Sequence, residues 1–427
     1  MTVDLTLRNC KIWLNKQLVN YGITIDEGII TSISKDVNLS NSDETVNCKG
    51  NIVLPGLVDV HVHFREPGAT NKEDWHTGSM AALYGGITYV MDMPNNIPPI
   101  TTVKRLGEKR KIAEKKSLVN FGLYAGIGNE NINQISEIGN HTNAFKIFLD
   151  QSAGELKIDD DSLKKSFVSI SKTGKNISVH AEDRKIIEEN LKKYKDRNDA
   201  LSHALIRSPE AEISAIKKVV QLSKSSGAKL HILHVTTKEG LNVIYQAKKE
   251  NVNISCETCP HYLFMTQKDL EEKGSLLKIN PPLRTKDDQK ALWEGILNGT
   301  IDIISTDHAP HTLEEKNQDI HNVPSGVPGI ETSLSLMLNA VNKRMISFEK
   351  LVELMHDNSV KRFDLEKYGE IEKGNCANLT VIDLNKKWKI VGDDLRTKCK
   401  WSPYEGWEGN GTPIITIING NVKFNQL

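Results

Sequence analysis

The chain has 427 residues, with 55 basic and 55 acidic side chains, so its formal charge is zero with histidine neutral. That balance removes the electrostatic case for a nucleic-acid or membrane-surface partner, and no apolar run approaches the ~20 residues of a membrane-spanning helix. Six scattered cysteines fit a reduced cytoplasmic protein better than a disulfide framework, and Met1-Thr2-Val3-Asp4-Leu5 lacks the features of a secretory signal.

The first 50 or so residues read as short strands at Leu5–Leu7, Ile12–Leu14, Ile23–Ile25 and Ile29–Ile33, separated by turn residues. The tail from about residue 369 reads the same way, with strand-like Leu379–Ile382 and Ile414–Ile418 and a turn at Asn419-Gly420-Asn421. The two ends predict one small β-sandwich domain, residues 1–52 plus 369–427. Between them, eight apolar and β-branched runs occur at Leu57–Val62, Ile87–Met91, Val119–Tyr124, Ala144–Phe148, Ile177–Val179, Leu230–Val235, Val252–Ser255 and Ile301–Ile304. Charged stretches of helical period separate most of them, among them Val103–Lys115, Ile186–Tyr194, Glu210–Ser223 and Lys238–Lys249. Eight alternating units predict an α/β fold, a (β/α)8 barrel over residues 53–368.

Such a barrel carries its chemistry at the C-terminal ends of its strands. The first run ends in His61-Val62-His63, the fourth holds Lys146, the fifth ends at His180, the sixth at His234, and the eighth leads to Asp307-His308. Strand residues i and i+2 share a side, so His61 and His63 aim two imidazoles at one point. With donors from the other strand ends, the pattern is that of a metal site. Lysine within an apolar strand is costly unless its charge is used, removed or led to the surface. For Lys146 the sharper reading is an Nε-carboxylated lysine whose carbamate bridges two metals, with Asp150 as competitor for the bridge. Asp307 is placed to bind metal and to take a proton from metal-bound water, and the donor set suits divalent ions such as Zn²⁺.

Asp59-Val60-His61-Val62-His63-Phe64-Arg65-Glu66-Pro67-Gly68, Met93-Pro94-Asn95-Asn96 and Asp307-His308-Ala309-Pro310-His311-Thr312-Leu313-Glu314-Glu315-Lys316 resemble the dihydroorotases of the amidohydrolase superfamily, and the resemblance covers almost the whole chain. It implies a reversible ring closure of N-carbamoyl-L-aspartate to L-dihydroorotate with loss of water, in pyrimidine biosynthesis. It further implies two Zn²⁺ ions, one on His61, His63 and Asp307, the other on His180 and His234, bridged by carboxylated Lys146. Some members use Asp at the bridge, but Phe145-Lys146-Ile147-Phe148-Leu149 is more similar to the animal domain, which carries the modified lysine. That domain has Cys where this chain has Leu233, so a third metal is not expected. The resemblance assigns substrate contacts to Arg65, Asn95, Asn280 and His311, and ring contacts to the backbone at Ser325 and Gly326. A homodimer and association with aspartate carbamoyltransferase are both compatible with it.

Residues 311–323 carry many polar side chains and are expected to form a lid that closes over substrate. Other features are read as structural. Cys256 and Cys259 have no second pair, and Gly126-Ile127-Gly128 lacks the third glycine of a dinucleotide fingerprint, with Asn at 131. His231 is expected on the opposite side of its strand from His234, among the helices, and His261 is a structural residue. His76, His141, His203, His321 and His356 are surface or packing residues, and the Lys/Glu runs at 104–116 and 185–195 are solvated helix faces. Two competitors remain. Allantoinases and hydantoinases share the metal ligands, but Arg65, Asn95 and His311 together favour an acidic ring. A non-catalytic subunit is disfavoured because all six ligands are present.

Overall fold

The computed structural model describes residues 2–151, 153–365 and 368–427. The eight expected runs form eight parallel strands: β1 (Leu57–Val62), β2 (Ile87–Asp92), β3 (Asn120–Gly126), β4 (Ala144–Phe148), β5 (Asn176–His180), β6 (Lys229–Ile232), β7 (Ile254–Thr258) and β8 (Ile303–Ile304). They pair in chain order within one sheet. A bridge from Val62 to His308, with the His63 N–H donating to the His308 carbonyl at 2.9 Å, joins the first strand to the segment after the last. The result is the (β/α)8 barrel that the alternation predicts.

The four expected helical stretches appear as Val103–Lys116, Arg184–Tyr194, Pro209–Ser226 and Lys238–Lys249. Side-chain oxygens of Thr102, Asp183 and Thr237 cap the first, second and fourth. The third starts on Pro209 and stops at Gly227, whose φ of 71° is left-handed. Leu106, Ile216 and Ile244 from these helices join one core with outward residues of the strands, such as Val90, Leu123, Ile177 and Leu230. No helix among the described residues is long and apolar enough to cross a membrane.

Both ends of the chain build β-structure. One sheet orders Ile29–Ser34, Gly22–Asp26, Val3–Arg8 and Ser42–Asn47. The other orders Asn421–Asn425, Glu408–Ile418, Leu379–Lys389, Ile52–Pro55, Lys11–Leu14 and Gln17–Val19. Leu5, Leu7, Ile23 and Ile25 of the first share a buried core with Ile12, Val53, Val381 and Ile415 of the second, as two sandwiched sheets do. Ile52–Pro55 pairs with Leu379–Ile382 and so lies in the terminal sheet.

Inside the barrel, Val58, Val60, Tyr89, Met91, Tyr124, Leu233 and Ile303 form an apolar plug that includes Phe363 and Leu365. Simple alternation from Val58 and Val60 would turn His61 outward. A ladder irregularity between Asp59 and Val62 re-phases the strand, so that His61 and His63 both turn inward above the plug.

Candidate metal centre and active site

His61, His63, Arg65, Asn95, Lys146, Asp150, His180, His234, Asn280, Asp307, Ser325 and Gly326 surround one cavity of about 140 Å³ at the C-terminal mouth of the barrel. Twelve residues from nearly every strand end therefore converge, including eleven of those expected at the site. His311, the twelfth expected residue, stands against Arg65 and Ser325 at the rim.

Asp307 is the hub. Its Oδ1 lies 3.2 Å from His61 Nε2 and 2.9 Å from His63 Nε2. Burial opposes its charge, yet the surrounding His61, His63 and His234 hold its carboxyl well below the usual range. Burial pushes His63 down to about 4 against the pull of Asp307, and pushes His234 well below its ordinary value, helped by His180. Near neutral pH His63 and His234 are thus uncharged imidazoles and Asp307 is a carboxylate, the protonation states that a divalent ion requires. Across the cavity His180 Nδ1 faces His234 Nε2 at 2.9 Å. Two ring nitrogens from different strands, facing one another, could hold a second metal ion.

Lys146 is buried, with 1% of its surface exposed, and its Nζ lies 4.5 Å from the Phe148 ring centre. Burial lowers it to about 8, although Asp307, Glu257 and Asp150 pull the other way. About a tenth of the amine is then neutral at pH 7, far more than for an ordinary lysine, and the neutral amine is the nucleophile that carbamate formation needs. Asp150, the competitor, is engaged elsewhere. Its Oδ2 accepts from Arg207 Nη2 at 2.9 Å and lies 3.6 Å from His180 Nε2, the ring nitrogen turned away from His234. Burial would raise Asp150, but His180 and Arg207 bring it down to about 2. Asp150, His180 and Glu182 also cluster closely enough to hold an ion, but the Arg207 guanidinium already pairs with both carboxylates there. A second cation would meet that charge. Among the described residues no lysine or arginine forms an ion pair with the cluster His61, His234 and Asp307.

Three site residues sit in strained backbone. Arg65, His234 and Asp307 have φ of 63°, 36° and 46°, a left-handed region that non-glycine residues adopt at a cost. The turn at His234 corrects one expectation. Alternation puts Leu233 and His231 inward and His234 outward, but β6 ends at Ile232 and the left-handed turn brings His234 in as well. His231 therefore packs inside the barrel and not among the helices. Its Nδ1 is 2.8 Å from Ser255 Oγ and its Nε2 is 3.0 Å from Glu257 Oε2.

Glu257 is a site residue that the sequence reading lacks. It is fully buried and its Oε1 lies 2.5 Å from His61 Nδ1. A carboxylate there makes His61 Nδ1 the proton-bearing nitrogen and leaves Nε2 free for a metal. The signal was an acidic residue inside an apolar strand, the same cue that singled out Lys146. It was masked by the neighbouring cysteines. Both cysteines are buried and free.

The opposite wall carries polar groups suited to an anion. The Arg65 Nε donates to the Pro310 carbonyl at 3.2 Å and its Nη2 lies 3.2 Å from His311 Nε2, with the guanidinium lining the cavity. Asn95 Oδ1 accepts from His63 Nδ1 at 2.7 Å. Asn280 Oδ1 is buried without a partner, an acceptor left for a ligand. Lys72 Nζ donates to His311 Nδ1 at 3.1 Å, so Nε2 carries the proton and donates to the Ser325 carbonyl at 3.0 Å. Gly326 has φ of 139°, and a Cβ there would lie 2.4 Å from the Ala309 carbonyl oxygen, so this wall admits only glycine.

The expected lid is anchored in this structure. His311 is buried and its carbonyl accepts from Trp401 Nε1 at 2.7 Å. Lys316 is fully buried beneath the exposed Glu314 and Asn317. The helix Val103–Lys116 is likewise not a uniformly solvated face. Lys109 is fully buried and its Nζ lies 2.5 Å from Asp92 Oδ2. His203 and His356 are buried packing residues, whereas His76, His141 and His321 are exposed.

An inward-facing metal-donor cluster at the mouth of a parallel barrel defines a metal-dependent hydrolase architecture. The amidohydrolase family model matches residues 52–423, and the chain belongs to that family, within its dihydroorotase group. The chain is 39% identical over 426 residues to the dihydroorotase of Methanosphaera stadtmanae, covering 98% of this chain and 96% of that protein. It is also 39% identical to the dihydroorotase of Methanosarcina mazei, covering 98% and 94%. Among solved structures, the L-hydantoinase (dihydropyrimidinase) of Arthrobacter aurescens superposes with a TM-score of 0.96 at 31% identity, covering 99% of this chain and 96% of that one.

Proposed function

We propose that this chain is a dihydroorotase, which interconverts N-carbamoyl-L-aspartate with L-dihydroorotate and water on the route to pyrimidines. The observation that carries this reading is the placement of Arg65, Asn95 and the unpartnered Asn280 amide around the same cavity as the metal donors. An acidic ring substrate needs both.

His61, His63 and Asp307 would hold one Zn²⁺ ion, His180 and His234 a second, and carboxylated Lys146 would bridge them. The confinement of Asp150 by Arg207 supports Lys146 over Asp150 for the bridge. Two such ions supply Lewis-acid polarisation of the ring carbonyl and a water of lowered pKa. Arg65 presents a planar fork that pairs with the substrate carboxylate, the Asn95 amide adds an N–H donor to it, and the unpartnered Asn280 Oδ1 would accept from a ring N–H. Asp307, a carboxylate near neutral pH, accepts the proton of the attacking water and delivers it to the departing amide nitrogen. In ring closure the same proton moves in reverse. The apolar plug beneath the histidines closes the floor of the cavity.

The reading includes a catalytic barrel over residues 53–368, of which 53–55 pair into the terminal sheet, a β domain from 1–52 with 369–427, and a reducing, cytoplasmic setting that the six free cysteines fit. The hydantoinase likeness supports a second reading, a neutral cyclic-amide hydrolase. Arg65 lining the cavity weighs against it, because a half-buried guanidinium without an anion is costly. Asp307→Asn tests the proposed chemistry: turnover is expected to vanish in both directions with the fold intact, and near-normal rates would refute the assignment of Asp307 as base.

A further inference from the structure

Lys316 ends the short helix Leu313–Lys316, in the segment that the sequence marks as polar surface. Its side chain is fully buried. The Nζ donates to three backbone carbonyls, Lys278 at 3.1 Å, Pro324 at 3.0 Å and Gly326 at 3.1 Å. An ammonium has three N–H bonds, and each finds one acceptor. No carboxylate offsets its charge: burial and the nearby Lys278 both act to discharge it. A buried, uncompensated ammonium is an expensive way to hold a loop, so its geometry calls for a function.

The three acceptors lie on the two segments that form the anion-facing wall of the cavity. Lys278 is two residues from Asn280, and Pro324 and Gly326 flank Ser325. The Gly326 N–H also donates to the Lys278 carbonyl at 2.9 Å, tying the segments to each other. The Ser325 carbonyl is taken by His311, and the Lys316 carbonyl by Ser275 Oγ at 2.8 Å. Lys316 itself does not line the cavity.

We infer that Lys316 is a positioning residue, a three-carbonyl clamp that fixes Asn280 and the Ser325–Gly326 backbone as one rigid wall and thereby sets affinity for the substrate. The inference rests on the reading of this cavity as the substrate site. The clamp acts by pre-organisation: carbonyls that would otherwise turn toward the cavity are held behind it, and Asn280 keeps its amide free.

The test compares wild type with Lys316→Met, which keeps the stem and loses all three donors, and with Lys316→Gln, which keeps two. KM for dihydroorotate is expected to rise about tenfold or more in Lys316→Met, with kcat within about threefold and zinc content unchanged, and to rise less in Lys316→Gln. Amide hydrogen exchange gives a second readout that needs no substrate: exchange at Gly326 should accelerate in both variants while β3 to β5 stay protected. An unchanged KM with unchanged exchange at Gly326, even with a lowered melting temperature, overturns the inference. If Lys316→Met does not fold, Lys316→Gln carries both readouts. Wild type without dihydroorotate turnover would sink the substrate reading alone, since the exchange result stands by itself.

Discussion

The helix Val103–Lys116 supports the substrate wall through one buried ion pair, and breaking that pair has a calculable effect. Lys109 Nζ meets Asp92 Oδ2 at 2.5 Å, the Met93 carbonyl at 2.7 Å and Asn96 Oδ1 at 2.9 Å. These acceptors bracket Asn95. Lys109→Met retains the stem volume and leaves the Asp92 carboxylate buried without its cation. Removing one partner of a buried pair costs about 3–5 kcal/mol. An independent bound agrees: Asp92 escapes the penalty by taking a proton, and protonating an ordinary carboxyl at pH 7 costs about 4 kcal/mol at 1.36 per unit. For a barrel of roughly 300 residues, with an unfolding entropy near 2.1 cal/mol/K per residue, that equals a fall in melting temperature of about 6 °C. The sign with pH follows. Burial already raises Asp92, and without Lys109 it rises further. The folded variant then binds a proton that the unfolded chain releases above about pH 4, so the deficit grows with rising pH and shrinks toward pH 4. Calorimetry at pH 5 and pH 7 measures both. The double variant Asp92→Asn/Lys109→Met should recover most of the loss, because no charge is left buried. A Lys109→Met melting temperature within about 1 °C of wild type at pH 7, or an equal deficit at both pH values, would refute the reasoning.

Two further expectations concern other buried groups. Glu257→Gln should weaken zinc binding by roughly 10–100-fold, since the partner that orients His61 loses its charge; a chelator-competition titration reads this, and wild-type affinity would remove Glu257 from that role. His203, whose Nε2 donates to the Ile279 carbonyl at 2.8 Å, is pushed by burial down to about 3. It stays neutral in the fold while the unfolded chain protonates it below about 6.5, so stability is intact above that pH and declines by up to about 1.4 kcal/mol per unit as pH falls toward 3. His203→Gln keeps a donor and should flatten that slope by up to one proton. An identical slope in denaturant titrations across this window would show that the imidazole is accommodated charged.

The barrel was legible because its strands are buried on both faces and read as continuous apolar runs. Strand Ser42–Asn47 was not, since only Val46 is buried there and an edge strand of polar residues carries no period. The candidate metal donors were legible because each ends, follows or sits within an apolar run. Their supports were not. Glu257 meets His61 across 196 residues of sequence, and the burial of Lys109 and Lys316 depends on carbonyls and a carboxylate brought in by other loops. Charge on a helix or loop normally signals solvent; only the tertiary partner reverses that. The inward turn of His234 likewise depends on a left-handed residue, which strand alternation does not encode.

The zinc-loaded chain, assayed side by side on L-dihydroorotate, hydantoin and allantoin, tests the central claim most directly. The account predicts metal-dependent turnover of dihydroorotate, with kcat/KM exceeding that for either neutral ring by about 30-fold or more, as expected for one charged contact worth about 2–3 kcal/mol. Equal or faster hydrolysis of a neutral ring would contradict it.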